Sequence, residues 1–238
     1  METYASSADV KGFLNFLYLI ATLDWDLWSM DVKTAFLKSK FPAGIRQFVR
    51  RPYGVPSTYF PPIFELGSCV YGHPAASHQF EQHNKEVFRK MGFTPLRSSP
   101  SMFQMAASST NDHVICSVIT DDCVFAVPRD SPTKTQVCEK FGTHYDHTVQ
   151  DPLIYINGVT IHRIGRRIGI TQPLFLENIT HKYSFDADTS YPTVPFPYSD
   201  YLSTQDRTDQ SILLPARDLS KYQAILGDIL WLQRLSKP

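Results

Sequence analysis

At residues 116–128 the chain reads CSVITDDCVFAVP, two apolar, β-branched runs that meet at a pair of aspartates. No other stretch constrains the fold so tightly. Runs of this composition pack as buried strands, and two of them joined by a short polar link form a hairpin. Asp suits turns because its carboxylate accepts backbone N–H groups two residues on. The favoured two-residue links, however, are Asn-Gly and Asp-Gly, which supply positive φ, and Asp121-Asp122 is neither. Adjacent carboxylates also repel unless a cation lies between them. Two readings stand at this point: a solvated turn, or part of a metal site.

Periodicity supplies the elements around the hairpin. Residues 8–24 are expected to be a helix burying Phe13, Phe16, Leu17, Ile20 and Ala21. WDLWSMDV, residues 25–32, reads as a strand covered on both faces. IRQFVRRPYGVP reads as a short strand ending in a turn. Residues 73–93 are expected to be a helix with Pro74 in its first turn and Gly92 as its cap, burying Phe80, Val87, Phe88 and Met91. Strands follow at SMFQMAA, HVICSVI and CVFAVP, with turns at Ser108 to Asp112 and at the aspartate pair. Ser131 is expected to cap a helix that has Pro132 at its first position. PLIYINGVTIHR and RIGITQ read as a hairpin, and PLFLENITHKY as a further helix.

The order of elements predicts an α+β fold, an antiparallel sheet backed by helices. Its core is expected over residues 1–185. Residues 186–218, rich in Pro, Ser, Thr and Asp, are expected to be an extended loop or linker. Residues 219–238 read as a terminal helix packing on the core, apolar at Tyr222, Ile225, Leu226, Ile229, Leu230 and Leu232.

Charge and cysteines narrow the function classes. Lys and Arg number 23 against 23 Asp and Glu, so no global field attracts nucleic acid or a membrane surface. Any nucleic-acid contact must be local. Lys33, Lys38 and Lys40 with Arg46, Arg50 and Arg51 form a local basic run, either a solvated face or a phosphate contact. The four cysteines show no CxxC pairing or zinc spacing and read as reduced, buried thiols. No run approaches the roughly 18 apolar residues of a membrane span, and the start lacks the pattern of a signal peptide. The expectation is an intracellular protein, cytoplasmic or nuclear, with no membrane partner. His144 and His147 lack further ligands for zinc. Asn178-Ile179-Thr180 matches a glycosylation sequon and is read as a chance match.

A third carboxylate bears on the hairpin. WSMDVKTAF places Asp31 at the end of a predicted strand. A strand-end Asp beside a hairpin carrying two more is how an all-oxygen site for Mg²⁺ or Mn²⁺ is built. Two such ions can clamp the attacking and leaving oxygens of a phosphoryl transfer. A phosphohydrolase or nuclease using the same aspartates stays open, although no His or Lys stands at a diagnostic spacing for it.

The motifs together resemble the reverse transcriptase of copia-type LTR retrotransposons. TYASSADVKGFLNFLYLIATLDWDLWSMDVKTAFL is similar to that family's opening helix and D-V-K-T-A-F-L segment. VYGHPAASHQFEQHNKEVFRKMGF parallels its Y-G-L-K-Q-A-P-R-Q-W helix, SPSMFQM its D-P-S-L-F strand, and SVITDDCVFAV the segment carrying Y-V-D-D. LIYINGVTI stands where the family has Y-F-L-G-I-E-I, and YQAILGDILWLQRLSKP resembles its Y-R-x-x-I-G-S-L-L-Y-L helix.

The resemblance implies a palm-like subdomain and templated addition of deoxynucleotides to a primer, with RNA or DNA primer–template and deoxynucleoside triphosphates as partners. It implies that Asp31, Asp121 and Asp122 are the catalytic, metal-holding triad, with Asp31 and Asp121 bridging the ions and Asp122 more peripheral. Phe36 would be the steric gate under the sugar, unless it is an ordinary core aromatic. Ala75 stands where a Gln would shape the nucleotide pocket. Gly158 would approach the primer end, and Arg46, Arg50 and Arg51 the template or primer phosphates. Self-association is a further expectation.

Departures from the family pattern accompany the likeness. Ile119-Thr120 replaces Y-V, His73-Pro74-Ala75 replaces L-K-Q, and Lys38-Ser39-Lys40 replaces N-G-D. The family's upstream K-A-R-L-V-A-K-G segment and its downstream T-R-P-D-I are absent from the sequence. A truncated enzyme lacking a complete fingers subdomain is therefore expected, one that extends a primer poorly. The alternative is a catalytically inactive remnant acting as a nucleic-acid- or protein-binding module.

Overall fold

A computed structural model describes residues 3–6, 9–107, 112–184 and 215–235. The expected turn at 108–111 and most of the expected linker, residues 185–214, lie outside the described residues.

Helix α1 (Val10–Leu23) starts where the Asp9 carboxylate accepts from the Gly12 amide, and ends at Asp24 in the left-handed region. It buries Phe13, Phe16, Leu17 and Ile20 at helical spacing, whereas Ala21, expected among them, is only partly covered. Strand β1 (Asp26–Val32) and the single turn α2 (Ala35–Lys38) follow. Strands β2 (Phe48–Arg50) and β3 (Ile63–Glu65) pair antiparallel as a small ribbon. Helix α3 (Ala76–Met91) buries Phe80, Val87, Phe88 and Met91, and ends at Gly92 with φ 100°. It begins after Ala75, so Pro74 precedes the helix instead of occupying its first turn. Next come β4 (Thr94–Leu96), β5 (Ser99–Ala107), β6 (Asp112–Ile119) and β7 (Asp122–Val127). Helix α4 (Thr133–Gly142) starts one residue later than expected, yet the Ser131 hydroxyl still accepts from the Thr133 amide at 3.0 Å. Strand β8 (His147–Gln150) closes this part of the chain.

Six of these strands make one sheet in the order β4-β5-β6-β7-β1-β8. Every pairing in it is antiparallel. Side chains alternate across the sheet. One face carries Trp28, Met30, Val32, Cys116, Val118, Cys123 and Phe125, which join Phe80, Phe88 and Met91 of α3 and Val137 and Phe141 of α4 in one buried cluster. The Phe125 ring lies 5.5 Å from Trp28, 6.0 Å from Phe88 and 5.7 Å from Phe141, centroid to centroid. The opposite face carries Ser29, Asp31, Ser117 and Asp122. Helix α1 begins on that second face, where the Met102 methyl comes within 3.5 Å of the space a side chain on Gly12 would enter.

Strands β9 (Tyr155–Ile156), β10 (Val159–Ile164) and β11 (Arg167–Thr171) form a small sheet in the order β11-β10-β9. The strand expected across 152–163 breaks at Asn157 (φ 47°) and Gly158 (φ 79°). Positive φ at both residues is the hairpin geometry that Asn-Gly favours. Helices α5 (Pro173–Lys182) and α6 (Ala216–Leu235) complete the chain.

The chain divides into two compact units, residues 1–157 with 161–169, and residues 158–160 with 170–238. Helices α5 and α6 both fall in the second unit. Within the second unit the Asp228 carboxylate accepts from Lys182 Nζ at 2.8 Å and from the Tyr183 hydroxyl at 2.6 Å. Tyr222, Leu226, Ile229 and Leu230 of α6 are exposed. No helix among the described residues is long and apolar enough to cross a membrane.

Candidate active site

Register places the first carboxylates. Strands β1 and β7 run antiparallel with Asp31 directly opposite Asp122. Residues so paired point to one face with Cβ atoms roughly 4.5–5.5 Å apart. On the other edge of β1, Thr148 of β8 lies opposite Asp31 and Gln150 opposite Ser29. Ile119 pairs with Asp122, so the hairpin turns at Thr120-Asp121 and Asp122 already belongs to β7. The Asp121 carbonyl accepts from the Val32 amide at 3.2 Å, which ties the turn to the end of β1.

Two threonines beside these aspartates take the left-handed region, Thr120 with φ 58° and Thr34 with φ 55°. That conformation is uncommon for a β-branched residue. Strain of this kind gathers at functional sites, where surrounding structure holds it in place.

Asp31 and Asp122 open onto a cleft of ≈ 320 Å³, lined also by Ser29, Thr148, Gln150, Tyr155, Ile156 and Asn157. Burial, then the charge of Asp121, raises the Asp31 carboxyl above its ordinary range, while Lys33 opposes the rise. The Asp122 carboxyl is pushed to about 6 by burial and by the charges of Asp31 and Asp121. All three aspartates therefore lie within electrostatic reach of one another, although the first is distant in sequence. Lys33 leans to Asp146, 3.2 Å from its carboxylate. Among the described residues, no three His, Cys, Asp or Glu side chains are arranged to hold a metal ion. A second cavity of ≈ 170 Å³ reaches Thr120 from the side of α3 and β5. Its one carboxylate, Glu81, is bound to Lys85 and Ser6.

The other candidates are placed as follows. Phe36 packs edge-on against Tyr71 at 4.9 Å and Phe80 at 6.1 Å and does not line the cleft. Ala75 is 1% exposed, so its methyl faces packed protein. Arg46 makes two bonds to the Glu65 carboxylate, at 2.9 and 2.7 Å, and lies over the Phe48 ring. Arg51 donates to the Phe60 carbonyl, and Arg50 is exposed on β2. Gly158 is the second turn residue after β9, and a Cβ there would meet the Trp231 ring at 3.7 Å. His144 is exposed, while His147 sits edge-on to Phe141 and beside the Tyr145 carbonyl. Cys69, Cys116 and Cys123 are free and buried, and Cys138 is free and half-buried.

Ser29, Thr148, Gln150 and Tyr155 enter the site without having been singled out in the sequence. Ser29 shares the strand parity of Asp31, a signal that was available. Strand β8 is a four-residue edge strand whose apolar residues show no clear alternation, so Thr148 and Gln150 carried no comparable signal.

A family model described as reverse transcriptase (RNA-dependent DNA polymerase) matches residues 3–196 of the chain. No solved structure matches it.

Proposed function

The chain belongs to the reverse transcriptase (RNA-dependent DNA polymerase) family, and from that premise we propose that it is a copia-type enzyme core. Its reaction would be templated addition of deoxynucleotides to a primer 3′-OH, with Asp31, Asp121 and Asp122 as the catalytic carboxylates of a palm-type sheet. One observation carries this reading: the β1–β7 register that sets Asp31 against Asp122 at the mouth of a cleft, with Asp121 in the adjoining turn.

The donor set suits Mg²⁺ or Mn²⁺, since all three groups are hard oxygen ligands. Burial first, and then their mutual repulsion, raises the carboxyls of Asp31 and Asp122, and a divalent cation would offset both. Bound there, a pair of such ions would activate the attacking hydroxyl and neutralise charge on the triphosphate. The chain's own residues set the geometry. The Val32 amide holds the Asp121 carbonyl, and the threonines at 34 and 120 fix the two backbone bends beside the carboxylates. Phe36, its ring held by Tyr71 and Phe80 outside the lining of the cleft, serves the core packing and would act against a 2′-OH only on a sugar that reaches that ring. Ala75 is buried, with its amide bonded to His73 Nδ1 and its carbonyl to the Gln79 amide, so a role at the nucleotide would be confined to shaping the packing behind the pocket. Arg50 and Arg51 are the candidate phosphate contacts of β2 and the turn after it, while Arg46 would first have to leave Glu65. Gly158, beside the cleft residue Asn157, is the candidate approach to the primer end.

Primer extension with Mg²⁺ and with Mn²⁺ tests this function. The expected result is incorporation, however slow, that Asp31→Asn and Asp121→Asn abolish. Incorporation equal in those variants and the unaltered chain would refute the assignment of the carboxylates.

A further inference from the structure

Gln150 ends β8 and lines the same cleft as Asp31 and Asp122. Its Oε1 accepts from two successive backbone amides, those of Ile154 and Tyr155, both at 2.8 Å. An amide oxygen offers two lone pairs, and both are now used. The carboxamide therefore has one orientation, because its nitrogen cannot accept either bond. That leaves Nε2 on the opposite side of the group, where it donates to no protein acceptor among the described residues. Among the described residues no Lys or Arg lines the cleft, so the donors they offer an anionic ligand there are neutral. Gln150 is the one whose orientation two bonds already fix.

We propose that Gln150 is a positioning and ligand-binding residue of the cleft. Its oxygen sets the start of the wall formed by Tyr155, Ile156 and Asn157, and its nitrogen donates a hydrogen bond to a phosphate oxygen of bound nucleic acid. The proposal rests on the polymerase reading above. A carboxylate at this position could hold the two amides equally well. It would, however, add a third negative charge beside Asp31 and Asp122, whereas the carboxamide presents the positive end of its dipole. A hydrogen bond to a charged group contributes more than a neutral one, so its loss should be visible in affinity.

The test uses the full chain with a fluorescent primer–template DNA duplex in Mg²⁺, read by anisotropy, together with amide hydrogen exchange at Ile154 and Tyr155. Gln150→Glu keeps the acceptor and loses the donor. Gln150→Met is neutral, of similar length, and loses both. Val149→Glu adds the same charge one residue away, at an exposed position on the other face of β8. The expected result is that Gln150→Glu binds the duplex about tenfold more weakly than Val149→Glu while both amides stay protected. Gln150→Met is expected to lose affinity and amide protection together, which keeps the test available should the Glu variant fold poorly. Equal affinity for Gln150→Glu and Val149→Glu would overturn the donor role. Protected amides in Gln150→Met would overturn the positioning role. If the unaltered chain binds no duplex at all, the polymerase reading fails and the proposal falls with it. Binding by the unaltered chain alongside an unaffected Gln150→Glu variant removes this proposal alone.

Discussion

Alternate residues of β1 and β7 serve opposite faces of the main sheet. On one face Trp28, Met30, Cys123 and Phe125 are fully buried under α3 and α4. On the other, the same strands present Ser29, Asp31 and Asp122 to an open cleft. The packed face gains from every group placed there. The cleft face holds like charges in directly opposite positions and has two β-branched residues in left-handed backbone beside it. The difference teaches that the cleft is not self-supporting: its geometry is imposed by the packing one side chain away. Each prediction below loads one face and spares the other.

The largest effect is expected from Phe125→Ala, which opens a cavity between Trp28, Phe88 and Phe141. Denaturant unfolding should show a loss of about 3–5 kcal/mol. A loss below about 1 kcal/mol would mean that the aromatic cluster does not carry the sheet.

On the cleft face the sign reverses. Asp122 ionises in the unfolded chain near its ordinary 3.8 but near 6 in the folded protein. Between those values the folded protein holds the proton and the unfolded chain has released it, so ionisation opposes folding. Stability should fall as pH rises through that window and then level off. Asp122→Asn cannot ionise and should flatten much of this decline, gaining about 1–2 kcal/mol at pH 7.5 once solvent screening of a half-exposed group is allowed for. The residual slope should come from Asp31, whose carboxyl is raised in the same direction. Chemical denaturation from pH 4 to 8 measures both. A variant no more stable than the unaltered chain at pH 7.5 would show that neither burial nor the neighbouring aspartates penalise the ionised Asp122 carboxylate.

The smallest effect is expected from Thr120→Gly. Left-handed backbone costs an L-residue about 1–2 kcal/mol, and a glycine returns about 0.5–1 kcal/mol of that through unfolded-state entropy. Unfolding should show a net gain of about 0.5–1 kcal/mol. A net loss would mean that the Thr120 side chain contributes contacts outweighing the strain.

Legibility in the sequence follows the same division. Apolar periodicity exposed the packed face: α1, β1, α3 and the β5–β6–β7 strands lie where their spacing put them, with ends displaced by up to three residues. Elements of two to four residues, α2, β3, β4 and β8, have no period to read, and their pairings belong to tertiary structure. The hairpin was legible as a hairpin but not in register. A turn at Asp121-Asp122 would set Thr120 opposite Cys123 and put a hydroxyl into the apolar cluster. The observed turn one residue earlier keeps Val118 opposite Cys123 on the packed face. That shift makes Asp122, and not Asp121, the partner of Asp31. The Asn157-Gly158 dipeptide carried a turn signal, although the stretch was expected to be one continuous strand, while Gln150 carried none, because its two acceptor bonds depend on how the chain after β8 folds back.

In the proposed function Asp31, Asp121 and Asp122 form one cation site. Calorimetric titration of Mn²⁺ into the full chain, beside Asp31→Asn and Asp122→Asn variants shown by thermal melting to be folded, tests it most directly. Saturable binding to the unaltered chain is expected, removed or weakened at least about tenfold by either substitution. Mn²⁺ binding of unchanged affinity in both variants would contradict it.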